Sequence, residues 1–215
     1  WPLERTAEGT WVDADDKQRT AYLRTGCVPK DYRDPVAADY PECLAIVREK
    51  VYPQRMAQNR EIRKRYWWRY GETAPSLYTA IASLHHVLVM AQTTKYLNVN
   101  YVNNGWVYAH KIVVFKLDEW WQFCTMQSDV HEVWARQYCS TLETRLSYTP
   151  SDGFETFPFP VCGSSVSVLT ALGESYHGHR RHIMFARQEG LTATYNRFHD
   201  PGESAADIAR LRGLH

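Results

Sequence analysis

The stretch between Leu84 and Phe115 constrains the fold most, because the apolar spacing there changes from helical to strand-like. Three runs, His86–Ala91, Tyr96–Val102 and Val107–Phe115, carry the β-branched and aromatic residues of strands. Asn103-Asn104-Gly105 separates the last two, and Asn-Gly tolerates the positive φ of a type I′ turn, which predicts a hairpin. A fourth strand is expected at Trp121–Met126, leading into a helix capped at Ser128 or Asp129; the Asp129/Glu132 spacing fits a capping box, and the helix runs through Val133, Trp134 and Tyr138. Helical spacing lies on both sides of this block. Leu44, Val47 and Val51 repeat at helical intervals until Pro53, a second basic helix is expected from Gln54 to Trp68, and further helices are expected at 164–188, 191–198 and 203–211.

Strands gathered in one block between helical blocks predict an α+β fold: a central small mixed or antiparallel sheet with flanking helices, then a helical C-terminal tail. Residues 1–40, punctuated by Gly9, Gly26, Pro29 and Pro35, read as a loop-rich lead-in with little regular structure. The expected division is therefore a lead-in at 1–40, a main domain at 41–160 and a tail at 161–215. Residues 144–160 read as short strands and loops, closing on Phe157-Pro158-Phe159-Pro160 as a rigid junction whose rings dock on a core.

The formal net charge is only +1, so any attraction to a polyanion must come from local asymmetry. Residues 48–69 supply it, with Arg48, Lys50, Arg55, Arg60, Arg63, Lys64, Arg65 and Arg69 against Glu49 and Glu61. Within that run Tyr66, Trp67 and Trp68 sit among cations; the arginines are assigned to the surface and the tryptophans mostly to the core. Cations that neutralise phosphates release counterions, so Arg60, Arg63, Lys64, Arg65 and Arg69 are the candidate phosphate-binding residues. A second polar set, Gln92, Thr94, Lys95, Asn98, Asn100, Asn103, Asn104, His110 and Lys111, falls on strand ends and turns. Asn and Gln pair with adenine and Lys with guanine in the major groove, which makes these the candidate base readers, although the same residues also build ordinary turns.

Parts of an enzyme are missing from the sequence. It holds no G-x-G-x-x-G or Walker loop, no G-x-S-x-G elbow and no N-P-P-Y or D-P-P-Y tetrapeptide. A nuclease pattern forced onto Glu42, Glu49 and Lys50 is what any charged helix offers. His177, His179 and His182 form H-x-H-x-x-H, with His199 downstream, but Arg180 and Arg181 would repel a cation; a solvated or phosphate-facing helix is expected, without a metal. His85-His86 is expected to be structural. The five cysteines, Cys27, Cys43, Cys124, Cys139 and Cys162, are odd in number and lack C-x-x-C spacing, which predicts reduced thiols in a cytoplasmic protein. No apolar run reaches the length of a membrane span. Opening on Trp1 and closing within a helical pattern, the chain reads as a fragment of a larger polypeptide.

Ordered motifs in this chain resemble those of the target-recognition domain of MmeI-like adenine methyltransferases and related enzymes of restriction–modification and of phage-defence systems such as DISARM and BREX. They are Trp67-Trp68-Arg69-Tyr70, Leu77–Ile81, His86–Ala91 followed by Thr94-Lys95, Gln127–His131 followed by Trp134-Ala135, and Phe154–Pro160. The tail shares the likeness through Glu189–Pro201 and Ile208–Arg212. The resemblance implies a division of labour. A catalytic domain of the same polypeptide would bind S-adenosylmethionine and methylate adenine N6, while this chain binds no cofactor and reads double-stranded DNA as the base is extruded. Phosphate contacts would set register and base contacts would set sequence. The alternative is a protein-interaction or scaffold module of a defence complex.

Overall fold

The computed structural model describes residues 1–161 and 163–215. They form two compact units, Trp1–Pro75 and Ser76–His215. The boundary between these compact units lies at Pro75, whereas the expected bounds lay at 40 and 160.

In the first unit, residues 1–40 hold more regular structure than their punctuation suggests. Helix α1 (Asp16–Thr25) opens on a reciprocal capping box between Asp15 and Gln18 and ends on Gly26, whose φ of 86° is the left-handed conformation of a helix C-cap. Val28, Tyr32 and Val36 form a small core with Trp11 and Tyr22 against it. Aromatic burial rather than helix length organises this segment, which is why a pattern search for periodic runs misses it. Helices α2 (Pro41–Lys50), α3 (Tyr52–Met56) and α4 (Glu61–Arg65) follow. The single basic helix expected at 54–68 is therefore two short ones, because Arg60 is extended (ψ 103°) and starts a new helix. Trp67 is buried, with its ring edge-on to Tyr52 at 5.1 Å.

The second unit opens with α5 (Pro75–Ile81), β1 (His86–Ala91), β2 (Thr93–Thr94), β3 (Asn100–Asn103) and β4 (Ile112–Phe115). Strand β1 is central, in the order β3-β1-β4, and is antiparallel to both neighbours. The expected hairpin between β3 and β4 does not form. Gly105 has φ 104°, but Asn104 is not in the left-handed region, so the type I′ turn is absent. Instead the Asn104 side-chain amide donates to the carbonyls of Ile81 (2.7 Å) and Leu84 (3.0 Å). Residues 104–111 then cross from one end of β1 to the other. The middle position goes to the strand with the most apolar surface to bury: Val87, Leu88 and Met90 are each at most 1% exposed.

The expected fourth strand is a helix, α6 (Trp120–Gln127). Phe123, Met126 and Gln127 are buried at helical spacing, and the i, i+3 pattern prevails over the strand propensity of Trp, Phe and Thr once this face meets the tail. In α7 (Asp129–Tyr138) the cap is Ser128, whose hydroxyl accepts from His131 N (3.3 Å), so Asp129 is the first helical residue and not a capping partner. Strands β5 (Ser140–Leu142) and β6 (Arg145–Ser147) join β2 in a second antiparallel sheet of order β2-β6-β5. After α8 (Pro150–Gly153), Phe154, Phe157 and Phe159 dock on Phe115, His131 and Trp121. The tail consists of α9 (Val166–Arg187), α10 (Leu191–Phe198) and α11 (Ala206–Leu214), the last beginning three residues later than expected. Tail residues Tyr176, Ile183, Ile208 and Leu211 belong to the same buried cluster as Leu88, Phe115, Phe123 and Leu146. Each fully buried side chain of this kind contributes roughly 1.5–3 kcal/mol, so the tail is integral to the core.

Candidate nucleic-acid interface

In the first unit the cationic run is presented in three ways. Arg60 and Arg65 are exposed, and the Arg65 guanidinium lies 5.6 Å from the Tyr66 ring centre. Lys64 pairs with Glu61 at 2.6 Å and Arg63 with Glu72 at 3.6 Å, both carboxylates being more than 80% exposed. Pairs of that kind contribute about 0–1 kcal/mol, so they are readily exchanged. Arg69 is held more firmly. Its Nη2 donates to Leu23 O at 2.9 Å, its guanidinium stacks over Tyr66 and Trp68 at 4.8 and 5.2 Å, and burial pushes its pKa down. Arg55, outside the expected phosphate set, donates to Arg69 O at 3.3 Å and joins the same concavity as Arg63 and Arg69.

The expected base readers fall into two groups at opposite ends of β1. Asn103 pairs with His86 at the start of that strand. Ile112 pairs with Ala91 at its far end, where Gln92 N donates to Lys111 O at 2.8 Å. At the usual rise per residue the two ends are roughly 17 Å apart. Gln92, Asn103, His110 and Lys111 are exposed. Lys95 is exposed as well, and the remaining side chains are committed to the protein itself. Thr94 Oγ1 donates to Tyr96 O, Asn98 donates to Thr94 Oγ1 and Tyr96 O, and Asn100 Oδ1 accepts from Arg180. Lys95 lies over the Tyr96 ring (4.6 Å) and donates to Asn196 (3.2 Å). Asn104, as above, closes the end of α5.

Behind these positions lies a polar node that the sequence pattern did not single out. Arg180, expected on a solvated or phosphate-facing helix, is 2% exposed. Its Nη1 donates to Tyr195 Oη (2.9 Å) and Gln127 Oε1 (3.4 Å), and its Nη2 to Val99 O (2.9 Å) and Asn100 Oδ1 (3.2 Å). Gln127 Oε1 also accepts from Val99 N at 2.8 Å. His131 is fully buried; its Nδ1 donates to Met126 O (2.7 Å) and its Nε2 accepts from Tyr148 Oη (3.0 Å). Burial lowers the His131 pKa, so the neutral ring with its proton on Nδ1 satisfies both partners. The Gln127–His131 motif is therefore architectural. Spacing offered one clue to Arg180: Gly173, Tyr176, Arg180 and Ile183 share the buried face of α9.

Of the tail histidines, His177 and His179 are drawn inward, whereas His182 and His199 are exposed. His177 packs against Trp120, Phe123 and Tyr101, and burial lowers its pKa to about 4. His179 Nε2 donates to Asp207 O at 2.8 Å. Among the described residues no group of three His, Cys, Asp or Glu is placed to hold a metal ion, and no helix is long and apolar enough to cross a membrane.

Comparison with known proteins bears on the fold and the family. A solved structure described as that of the Type IIL restriction-modification enzyme MmeI in complex with DNA superposes with a TM-score of 0.54 at 15% identity. The match covers 80% of this chain and 22% of that one, so the chain spans about a fifth of the enzyme's length. No curated protein matches. The family described as "MmeI, target recognition domain" matches residues 41–161, more than half of the sequence, and the chain belongs to that family.

Proposed function

We propose that this chain reads the sequence of double-stranded DNA, as the specificity portion of an S-adenosylmethionine-dependent adenine-N6 DNA methyltransferase acting in restriction–modification or phage defence in the cytoplasm. The family match over residues 41–161 carries the reading. Arg60, Arg63, Lys64, Arg65 and Arg69 supply phosphate contacts that fix register without reading sequence. Gln92, Lys95, Asn103, His110 and Lys111 supply base contacts from the ends of β1 and the segment beside it. In this reading methyl transfer and cofactor binding belong to a catalytic domain of the same polypeptide, in keeping with the missing N-P-P-Y tetrapeptide and glycine-rich loop.

Selection from a randomised duplex pool, followed by affinity measurements across a salt series, tests the proposal. An enriched site is expected, with affinity falling steeply as salt rises. Asn103→Ala or Gln92→Ala relaxes one position of that site by about 1–3 kcal/mol, whereas Arg60→Glu and Arg65→Glu weaken all sequences alike. No enrichment together with salt-independent affinity overturns it. The exposed apolar residues Val130, Val133 and Tyr138 on α7, 54–71% accessible, favour a second reading as a protein-interaction module of a defence complex. That reading requires partner binding that survives high salt and ignores charge reversal at Arg63 and Arg65.

A further inference from the structure

Three guanidiniums, those of Arg55, Arg63 and Arg69, converge on one concavity of about 260 Å³ in the first unit, walled in part by Tyr66 and Tyr70. Gly71 lines it as well. A methyl placed on Gly71 would lie 3.4 Å from Arg55 Nη1 and 3.4 Å from both Cζ and Nε of Arg63, so two cations approach the same point. Arg69 also lines the concavity. The carboxylate of Glu72 lies 3.6 Å from Arg63 and is 85% exposed at the rim. Like charges gathered this closely repel. An oxyanion in the concavity offsets the repulsion, and guanidinium forks match the oxygens of a phosphate.

We infer that this concavity seats a single phosphate group, one backbone phosphodiester of the DNA strand. The inference rests on the DNA-reading proposal and sharpens it. Arg55, Arg63 and Arg69 do not each meet a phosphate of their own; they form a socket that anchors one, with Arg55 as a member outside the expected phosphate set. A free phosphate presents the same oxygens, so the test separates the two sources.

The 215-residue chain and its Arg55→Gln, Arg63→Gln, double and Gly71→Ala variants are compared, with far-ultraviolet circular dichroism confirming that each folds. Log affinity for duplex DNA is plotted against log salt. A socket predicts that either single substitution lowers the slope by up to about 0.9, one phosphate's worth, and that the double variant lowers it no further. Gly71→Ala, which places a methyl against the Arg55 and Arg63 guanidiniums and removes no charge, also weakens binding. A single neutral methylphosphonate walked along each strand weakens the unaltered protein at one position, and that sensitivity is lost in the double variant. Slopes that add to about 1.8 in the double variant, or no change in any variant, overturn the inference.

In a second arm, inorganic phosphate is titrated against chloride at equal ionic strength, with tyrosine and tryptophan fluorescence as the readout. Phosphate binding that needs Arg55, combined with unaltered DNA affinity in Arg55→Gln, assigns the seat to a free phosphate and overturns the DNA assignment. If the unaltered protein fails to bind DNA at all, the DNA-reading proposal falls, and this arm still judges whether the seat takes phosphate.

Discussion

Replacing Arg180 with Met tests the central packing argument. The guanidinium is buried and meets four acceptors, none of them a carboxylate. Two acceptors keep a partner when it is removed: Gln127 Oε1 retains Val99 N, and Tyr195 Oη retains Tyr176 Oη at 2.9 Å. Val99 O and Asn100 Oδ1 lose the guanidinium donor. Stranding two such groups costs roughly 1–3 kcal/mol each. Relief from desolvating a cation, together with the apolar fit of Met, offsets part of this. The expected net loss is about 2–4 kcal/mol, which at an m-value of about 2 kcal/mol/M shifts the urea midpoint by roughly 1–2 M. Arg180→Lys discriminates further. An ammonium keeps the charge but lacks the planar fork, so it costs at least as much as Met. Urea unfolding followed by near-ultraviolet circular dichroism reads both variants. A loss under about 1 kcal/mol for Met, or near-native stability for Lys, refutes the claim that the fork geometry holds α9 to Val99 and Asn100.

Gly173→Ala would place a methyl against Trp120 O and 3.3 Å from Cys124 Cβ, between α9 and α6. Overpacking by roughly 1–3 kcal/mol outweighs the ~1 kcal/mol of helix propensity gained, so the melting temperature falls; a rise contradicts the close approach. His177 has its pKa lowered from 6.5 to about 4, so its neutral form is favoured by folding. Its stabilising effect is complete above pH 6.5 and is lost as the pH falls toward 4, by about 2–3 kcal/mol. The buried His131, also lowered, acts in the same direction. His177→Phe should flatten the acid limb of a pH–stability curve, and an unchanged limb counts against the assignment.

What the sequence made legible depended on whether a signal was local. Helix α10 coincides with its expected span, because Leu191–Phe198 carries its own amphipathic pattern. Strand β1 likewise follows from its apolar composition. Local chemistry misled where tertiary contacts decided the outcome. The Asn-Gly pair supplied a turn, but Asn104 turned to the carbonyls of α5, and β1 claimed both neighbours. Trp121–Met126 read as a strand, but its buried face at Phe123 and Met126 is helical and meets the tail. The candidate site was legible as composition: the cationic run and the polar set were both visible. Its division was not, because Arg55 reaches Arg69 across 14 positions and Asn100 meets Arg180 across 80.

The crossover past β1 makes that strand a ruler. Its two ends carry the exposed Asn103 on one side and Gln92, His110 and Lys111 on the other, and their spacing is set by backbone pleat, not by loop length. Residues added within 104–111 lengthen a connection at small entropic cost and leave the spacing untouched. A single residue added inside β1 turns Val87, Leu88 or Met90 to the opposite face and breaks register with both neighbours. Variation among such chains is thus channelled: each end can change its side chains independently while the interval between them stays fixed.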